Sequence, residues 1–370
     1  MSHESISNFM LEAIKLAEKS IPSSSPNPAV GAVIVKNGKI IGKGKTSSFG
    51  KKHAEVNAIQ SVRDKDNLNG ATLYSTLEPC SHFGKTSPCT VALIESKFKN
   101  VVIALKDPDI KVNGRGIKQL RKANIQVVIG DGREQVNKQL MPYIYHRKTG
   151  LPFMSAKLAS TLDGKIATMN NDSKWISNNM SRNRVHKFRS KVDAILIGSK
   201  TVMSDNPFLT ARRNGKLFKK QPLRIVIDSQ GQLSINYNIF NDHAKTLVIT
   251  TKASSKKWRD QIEKAGHACM IIEENSKQVD LLKFAQAMSD LGIMHIYVEG
   301  GGKLIGALMN YQLIVKLYLF IAPKIIGNQK AINMIDGLNI QKVSKALKLI
   351  NTSYEFIQQD ILIAGEVEYK

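Results

Sequence analysis

Two α/β domains in tandem are the fold this sequence predicts, and three observations predict it. Its 370 residues exceed one ordinary core, at about 150 residues per domain. Strand-like and helix-like segments alternate along most of the chain, the pattern of layered α/β units. A polar, basic stretch from Tyr145 to Pro152, containing Gly150, separates two such series and reads as a linker. The expected domains are residues 1–145 and 146–370.

The elements follow in order. Residues 5–20 carry helical spacing, and a turn-rich stretch, Ser23 to Pro28, leads into β-like runs at Val30 to Val35 and Ile40 to Gly44. Asn37-Gly38 joins these runs and supplies the positive φ values that a tight hairpin requires. A helix from about His53 to Val62 comes next, then a strand Ala71 to Leu77, a helix after Cys89 and a strand Val101 to Leu105. Ile117 to Ile129 holds a further helix and strand. Beyond the linker, β-rich runs recur at Phe153 to Leu158, Ala194 to Ile197, Leu223 to Ile227, Thr246 to Thr250, His267 to Ile272, His295 to Val298 and Lys316 to Ile321. Helical stretches between several of them predict a largely parallel second sheet.

Hydrophobic residues make up 42% and charged residues 23%, ordinary globular usage that excludes disordered, collagen-like and coiled-coil chains. No apolar run approaches the roughly 18 residues of a membrane span, and the N-terminus, with Glu4 and Glu12, lacks a signal-like core. The expected location is the cytoplasm, with no membrane partner. Cys80, Cys89 and Cys269 are too few for a disulfide framework and leave thiols available as ligands or nucleophiles. The net charge of +24 raises nucleic acid, membrane surfaces and anionic metabolites as partners. Residues 1–145 hold 21 Lys and Arg against 12 Asp and Glu, and the remainder 33 against 18, so the excess is spread over both halves. Without a basic tail or an aromatic RNA-binding pattern, this is a solvated basic surface, and no nucleic-acid partner is expected.

His53-Ala54-Glu55 opens a helical pattern; Cys80 follows Pro79, and Cys89 precedes another helical run. One imidazole and two thiolates suit zinc, and a helix N-terminus lowers the pKa of a thiol placed there. Three protein ligands leave a fourth tetrahedral position for water, whose pKa zinc lowers to roughly 7. Glu55, not a ligand, is then positioned to shuttle a proton to a leaving nitrogen. The zinc-deaminase signature has two residues between its thiols, whereas eight, Ser81 to Pro88, stand here. A closed structural zinc knot remains an alternative, with His82 available as fourth ligand.

Pro26-Asn27-Pro28-Ala29-Val30-Gly31, His53-Ala54-Glu55 and Pro79-Cys80-Ser81-His82-Phe83-Gly84-Lys85-Thr86-Ser87-Pro88-Cys89 resemble the deaminase half of the bifunctional deaminase/reductase family of riboflavin biosynthesis. The long thiol spacing distinguishes that family; Ser87 stands where it usually has a second proline. The resemblance implies a cytidine-deaminase-like α/β/α domain, with His53, Cys80 and Cys89 as zinc ligands and Glu55 as proton shuttle. It also implies that Asn27 hydrogen-bonds the pyrimidine, although an Asn between prolines is equally a turn former.

In the second half, Val298-Glu299-Gly300-Gly301-Gly302-Lys303-Leu304 follows an apolar run and precedes a helical pattern. Such a glycine turn lets N–H groups approach a pyrophosphate, yet three glycines also suit a tight turn, and the spacing is not the Rossmann fingerprint. Lys157-Leu158-Ala159-Ser160-Thr161-Leu162-Asp163-Gly164-Lys165-Ile166, Ser173-Lys174-Trp175-Ile176, Gly198-Ser199-Lys200-Thr201-Val202 and Asp205-Asn206-Pro207-Phe208-Leu209-Thr210-Ala211-Arg212 resemble the reductase half of the same family. That resemblance implies a dihydrofolate-reductase-like α/β domain using NADPH. It implies cofactor contacts at Ala159, Trp175, Thr201, Ser229, Gly301, Gly302, Lys303, Leu304, Ile305, Gly306 and Ala307. It places Ser173, Arg189, Asp205, Leu209, Arg212 and Glu299 on the substrate. A guanidinium fork suits a phosphate monoester, which supports the two arginines as a clamp. Lys157 and Asp205 are expected to be polar groups near the reacting sugar, as acid or as positioning groups. Trp175 is alternatively a core aromatic, and Asp163-Gly164 a plain turn.

The sequence therefore predicts zinc-dependent deamination of a diaminohydroxyphosphoribosylaminopyrimidine, then NADPH-dependent reduction of its ribosyl chain to ribityl. The expected partner is that small-molecule substrate, and the expected assembly a homo-oligomer. The rivals are a deaminase acting on bases in nucleic acid and a nucleic-acid-binding protein stabilised by structural zinc.

Overall fold

The structure, a computed structural model, describes residues 6–83, 87–272 and 278–369; the Gly84-Lys85-Thr86 part of the thiol motif lies outside them. The chain divides into two units, one ending at Leu151 and the other beginning at Pro152.

In the first unit the elements are α1 (Asn8–Glu18), β1 (Gly31–Lys36), β2 (Lys39–Lys45), α2 (Ala54–Ser61), β3 (Thr72–Leu77), α3 (Cys89–Glu95), β4 (Asn100–Leu105), α4 (Arg115–Lys122), β5 (Gln126–Ile129), α5 (Arg133–Gln139) and α6 (Met141–Thr149). They surround one sheet of order β2-β1-β3-β4-β5. β1 is antiparallel to β2 and β3, and β3, β4 and β5 run parallel. The β1–β2 hairpin closes through Asn37 (φ 49°) and Gly38 (φ 72°), as the sequence predicts. Ser7 caps α1 by accepting the Met10 N–H at 3.2 Å, and the buried Met10, Ala13 and Ala17 give that helix its core-facing stripe. Gly44 permits α2 to lie close on β2: a Cβ there would stand 2.1 Å from the Ala54 carbonyl oxygen. That close packing fixes the start of α2, where His53 and Glu55 sit.

The linker expected at Tyr145 to Pro152 is a correction. Tyr145 to Thr149 continue α6, which has Pro142 in its first turn and stops at Gly150, with φ 73°. Basic residues favour a helix C-terminus, so His146, Arg147 and Lys148 form the last turn. The break between the units thus falls at Leu151/Pro152, a few residues beyond residue 145.

The second unit is built on a nine-stranded sheet. In spatial order its strands are Ala268–Ile271, Thr246–Thr250, Leu223–Ile227, Ala194–Gly198, His295–Val298, Phe153–Thr161, Ile314–Ala322, Asp360–Glu368 and Lys348–Ile357. The first seven are parallel to their neighbours, and the last two add as an antiparallel hairpin. The buried Ile195, Ile197, Val226 and Val248 lie in one cluster across adjacent strands; each such side chain contributes about 1.5–3 kcal/mol. Among the described residues, no helix is long and apolar enough to cross a membrane.

Candidate active sites

Each of the three metal donors sits at or just beyond the end of an element of the first unit. His53 precedes α2 as its N-cap residue without a capping side-chain bond, Cys80 follows β3, and Cys89 is the first residue of α3. Their ligand atoms lie within 4.8 Å of one another. His53 Nδ1 is 3.4 Å from Cys80 Sγ and 3.3 Å from Cys89 Sγ, and the two sulfurs are 3.5 Å apart. The Cys89 N–H at the tip of α3 points at Cys80 Sγ, 3.4 Å away, so the helix end stabilises negative charge on that sulfur. The Cys89 thiol, and with it the His53 ring, holds the Cys80 thiol well below its ordinary range. The Cys80 contact raises His53 to about 9. Soft sulfurs and one imidazole, converging with this much uncompensated polarity, fit zinc. His82 is exposed on the pocket rim and is not in the cluster.

Glu55, in the first turn of α2, is 3% exposed. Its Oε2 accepts the Cys89 thiol at 3.4 Å, and burial raises its carboxyl to about 7. The pocket over this cluster has a volume of about 270 Å³ and includes Asn27. The Asn27 N–H closes a turn on the Ser24 carbonyl at 2.9 Å. Asp107, Asp109, Tyr143 and Arg147 line the same pocket and were not found by sequence reasoning. The linker reading concealed the last two.

The larger pocket of the second unit, about 820 Å³, opens where the strands Ala194–Gly198, His295–Val298 and Phe153–Thr161 end or pass, the usual place for a ligand in a parallel sheet. It collects Lys157, Ala159, Ser173, Trp175, Arg189, Thr201, Asp205, Leu209, Glu299 and Gly301. Trp175 is 63% exposed, with the Arg182 guanidinium 4.4 Å above its ring, which removes the core-aromatic alternative. Gly301 caps the helix Gly302–Asn310, and its N–H donates to Thr201 Oγ1 at 3.3 Å. A wide pocket against a helix N-terminus fits a dinucleotide cofactor.

Other expected contacts lie elsewhere. Ser229, Arg212, Gly302, Lys303, Leu304, Ile305, Gly306 and Ala307 are not on the pocket wall. Ile305 is fully buried, and a Cβ on Gly306 would stand 1.8 Å from the Asp336 carbonyl oxygen; this part of the helix packs inward. Ser229 accepts the Thr251 hydroxyl on its carbonyl at 2.8 Å. The expected phosphate fork of Arg189 needs correcting too. Its Nε and Nη2 donate to Glu299 at 2.6 and 2.8 Å, and its Nη1 to the Thr210 carbonyl at 3.0 Å. Both side chains are largely buried, at 14% and 8% exposed, and these three bonds fill the fork. Lys157 faces this pair, and burial lowers its pKa against the opposing pull of Glu299. Arg182 on the pocket wall escaped sequence reasoning, although Asn179, Arg182, His186 and Arg189 recur at helical spacing along one face.

Comparison with known proteins covers both units. The family "RibD C-terminal domain" matches residues 152–363, and "Cytidine and deoxycytidylate deaminase zinc-binding region" matches residues 3–105. The Riboflavin biosynthesis protein RibD of Aquifex aeolicus is 37% identical over 98% of this chain and 99% of its own. The chain belongs to the RibD family. The RibD protein of Chlamydia muridarum is 41% identical over 87% of this chain and 86% of its own. Acinetobacter baumannii RibD, form 1, superposes with a TM-score of 0.86 at 30% identity, covering 97% of this chain and 98% of that one. The diaminohydroxyphosphoribosylaminopyrimidine deaminase/5-amino-6-(5-phosphoribosylamino)uracil reductase of Thermotoga maritima gives 0.84 at 35% identity, with the same coverage. RibD enzymes join a zinc-binding deaminase to an NADPH-dependent reductase in riboflavin biosynthesis, and both halves are present here.

Proposed function

We propose that the two pockets act in turn on one phosphoribosyl pyrimidine, the first deaminating the ring and the second reducing the ribosyl chain. The observation that carries this reading is the cluster of His53, Cys80 and Cys89 beside a buried carboxylate outside the metal-donor set. Zinc held by those three residues would supply the Lewis acid that activates water. Glu55 takes the proton of the attacking water and passes it to the departing amine, so that ammonia leaves. Asn27 orients the pyrimidine from the pocket wall.

NADPH bound in the second pocket would supply a hydride for reduction of the sugar carbon bonded to nitrogen. Ala159, Trp175, Thr201 and Gly301 form the cofactor side, while Ser173, Asp205 and Leu209 face the substrate with Lys157. Arg189 acts through Glu299, whose carboxylate it fixes in place. The family resemblance adds Ser229 and Gly302 to Ala307 on the cofactor side and Arg212 on the substrate side. The pocket wall would hold donor and acceptor carbons together.

Incubation with the diamino pyrimidine, with and without NADPH, tests both halves. Ammonia is expected without NADPH, and cofactor oxidation only once ammonia has been released. Ammonia without any NADPH oxidation would remove the reductase half. The nucleic-acid base deaminase is not favoured, because RibD relatives match along both units; ammonia released from single-stranded RNA or DNA would revive it. A cytoplasmic setting, a homo-oligomer and the lack of nucleic-acid and membrane partners belong to the same proposal, for which fractionation, sedimentation and binding assays are the checks. Cys80 and Cys89 as free thiols support the reducing compartment.

A further inference from the structure

A fully buried cation stands behind the pocket of the second unit. Arg224, in the strand Leu223–Ile227, is 0% exposed and is not on the pocket wall. Val226, two residues on and so on the same face of that strand, belongs to the apolar cluster with Ile195, Leu209, Ile239 and Phe240. An aliphatic side chain is what such a position ordinarily carries.

Among the described residues the hydrogen-bond partners of Arg224 include no carboxylate. Its Nη1 donates to Asn241 Oδ1 at 2.9 Å and, at longer range, to the Phe208 and Asn238 carbonyls, both at 3.4 Å. Its Nη2 donates to the Asn241 carbonyl at 2.7 Å and to the Ala244 carbonyl. Nε is buried without a partner. Burial with no compensating negative charge pulls the guanidinium down to about 10. A cation so placed costs stability that a well-packed apolar side chain would not, so its use lies in the fork, whose several donors can gather carbonyls from separate segments.

Those carbonyls come from two segments that meet at the pocket. Phe208 lies in Asp205–Leu209, all five residues of which line the wall, and Asn238 lines it from the connection leading to the strand Thr246–Thr250. Asp205–Leu209 contains two non-glycine residues with positive φ, Asn206 at 43° and Leu209 at 46°. A leucine keeps that conformation only where its surroundings fix it. Asn238 fixes one end: its N–H donates to Asn206 Oδ1 at 2.7 Å and its side-chain amide to the Asn206 carbonyl at 2.9 Å. Arg224 grips both segments from the buried side. We infer that Arg224 is a positioning residue of the reductase, holding Asp205–Leu209 through the carbonyls of Phe208 and of the 238–244 connection in the shape that receives the pyrimidine, without touching substrate or cofactor. The inference rests on the reductase reading and adds to it a residue behind the wall.

The test follows NADPH oxidation by the full-length wild type, Arg224→Met and Asn241→Ala on the deaminated pyrimidine, with each reactant varied in turn. Arg224→Met keeps apolar bulk and removes the donors. It is expected to lower kcat/KM for the pyrimidine about 10- to 100-fold, chiefly through KM, while KM for NADPH moves less than about 3-fold. Asn241→Ala removes the nearest Nη1 acceptor and leaves the fork in place, so it decides if Arg224→Met does not fold; the same split is expected at about 3- to 10-fold. Unchanged constants, equal shifts in both KM values, or a fall in kcat with both KM values unaltered, the mark of a smaller folded fraction, would each overturn the inference. Failure of the reductase reading looks different, since the wild type would then oxidise no NADPH. Amide hydrogen exchange still decides in that case. In either variant, peptides spanning 205–209 and 238–244 should exchange at least about 10-fold faster than in the wild type while the strand His295–Val298 is unaffected. No acceleration at 205–209, or acceleration in all three segments, would refute the role.

Discussion

In the first pocket an imidazole and two thiols crowd within 4.8 Å of one another, with only a buried carboxyl beside them. In the second, Arg189 and Glu299 meet as a bidentate pair at 2.6 and 2.8 Å, with Lys157 nearby. The first cluster gathers two thiols and one imidazole, a donor set that an ion would complete. The second is already neutralised by the chain's own residues and stands ready before any ligand arrives. One site is assembled by a cofactor, and the other is assembled by folding to receive one.

Metal removal breaks this comparison most strongly. A chelator is expected to abolish ammonia release while NADPH oxidation on the deaminated substrate continues. Parallel loss of both activities would show that the units do not behave independently. Glu55→Gln sharpens the same contrast: deamination is expected to fall by about 10²- to 10⁴-fold with zinc retained by metal analysis. A variant that loses zinc in step with activity would make Glu55 a structural support instead.

The second site fails in another way. Arg189→Ala leaves Glu299 buried and unpaired, and breaking such a pair costs about 3–5 kcal/mol, which urea unfolding of the second unit would register. A loss below about 1 kcal/mol would show that solvent reaches the pair. The smallest effect belongs to Asp163. Hydrogen bonds from Thr161 and from the Gly327 and Ile326 N–H groups lower its carboxyl to about 2. A folded pKa below the unfolded value gives stability that is present above about pH 4 and lost as the pH falls through 2. Asp163→Asn is therefore expected to flatten the acid side of the stability profile between those limits. An unchanged profile would remove Asp163 from the account.

The same comparison explains what the sequence could tell. The metal donors were legible because zinc chemistry demands particular residue types, and they fall next to element ends that the pattern also marks. Asn37-Gly38 gave away its hairpin for a similar reason, since few other dipeptides accept two positive φ values. The reductase wall was legible only through its resemblance to a family, because its residues come from strands, helices and loops far apart in sequence. Arg189 shows the limit: sequence reveals a guanidinium but not whether a carboxylate already fills it. The strand Lys348–Ile357 was missed because it is exposed over nearly its whole length, so no period-two apolar signal exists there. α6 was missed because its basic last turn resembles a solvated connection.

X-ray absorption at the zinc edge of the loaded, full-length protein reads the donor set of the first pocket. One zinc per chain is expected, with two sulfur neighbours, one imidazole nitrogen and one exchangeable light-atom ligand. A fourth ligand supplied by the protein, such as His82, or a chain that retains no zinc, would contradict it.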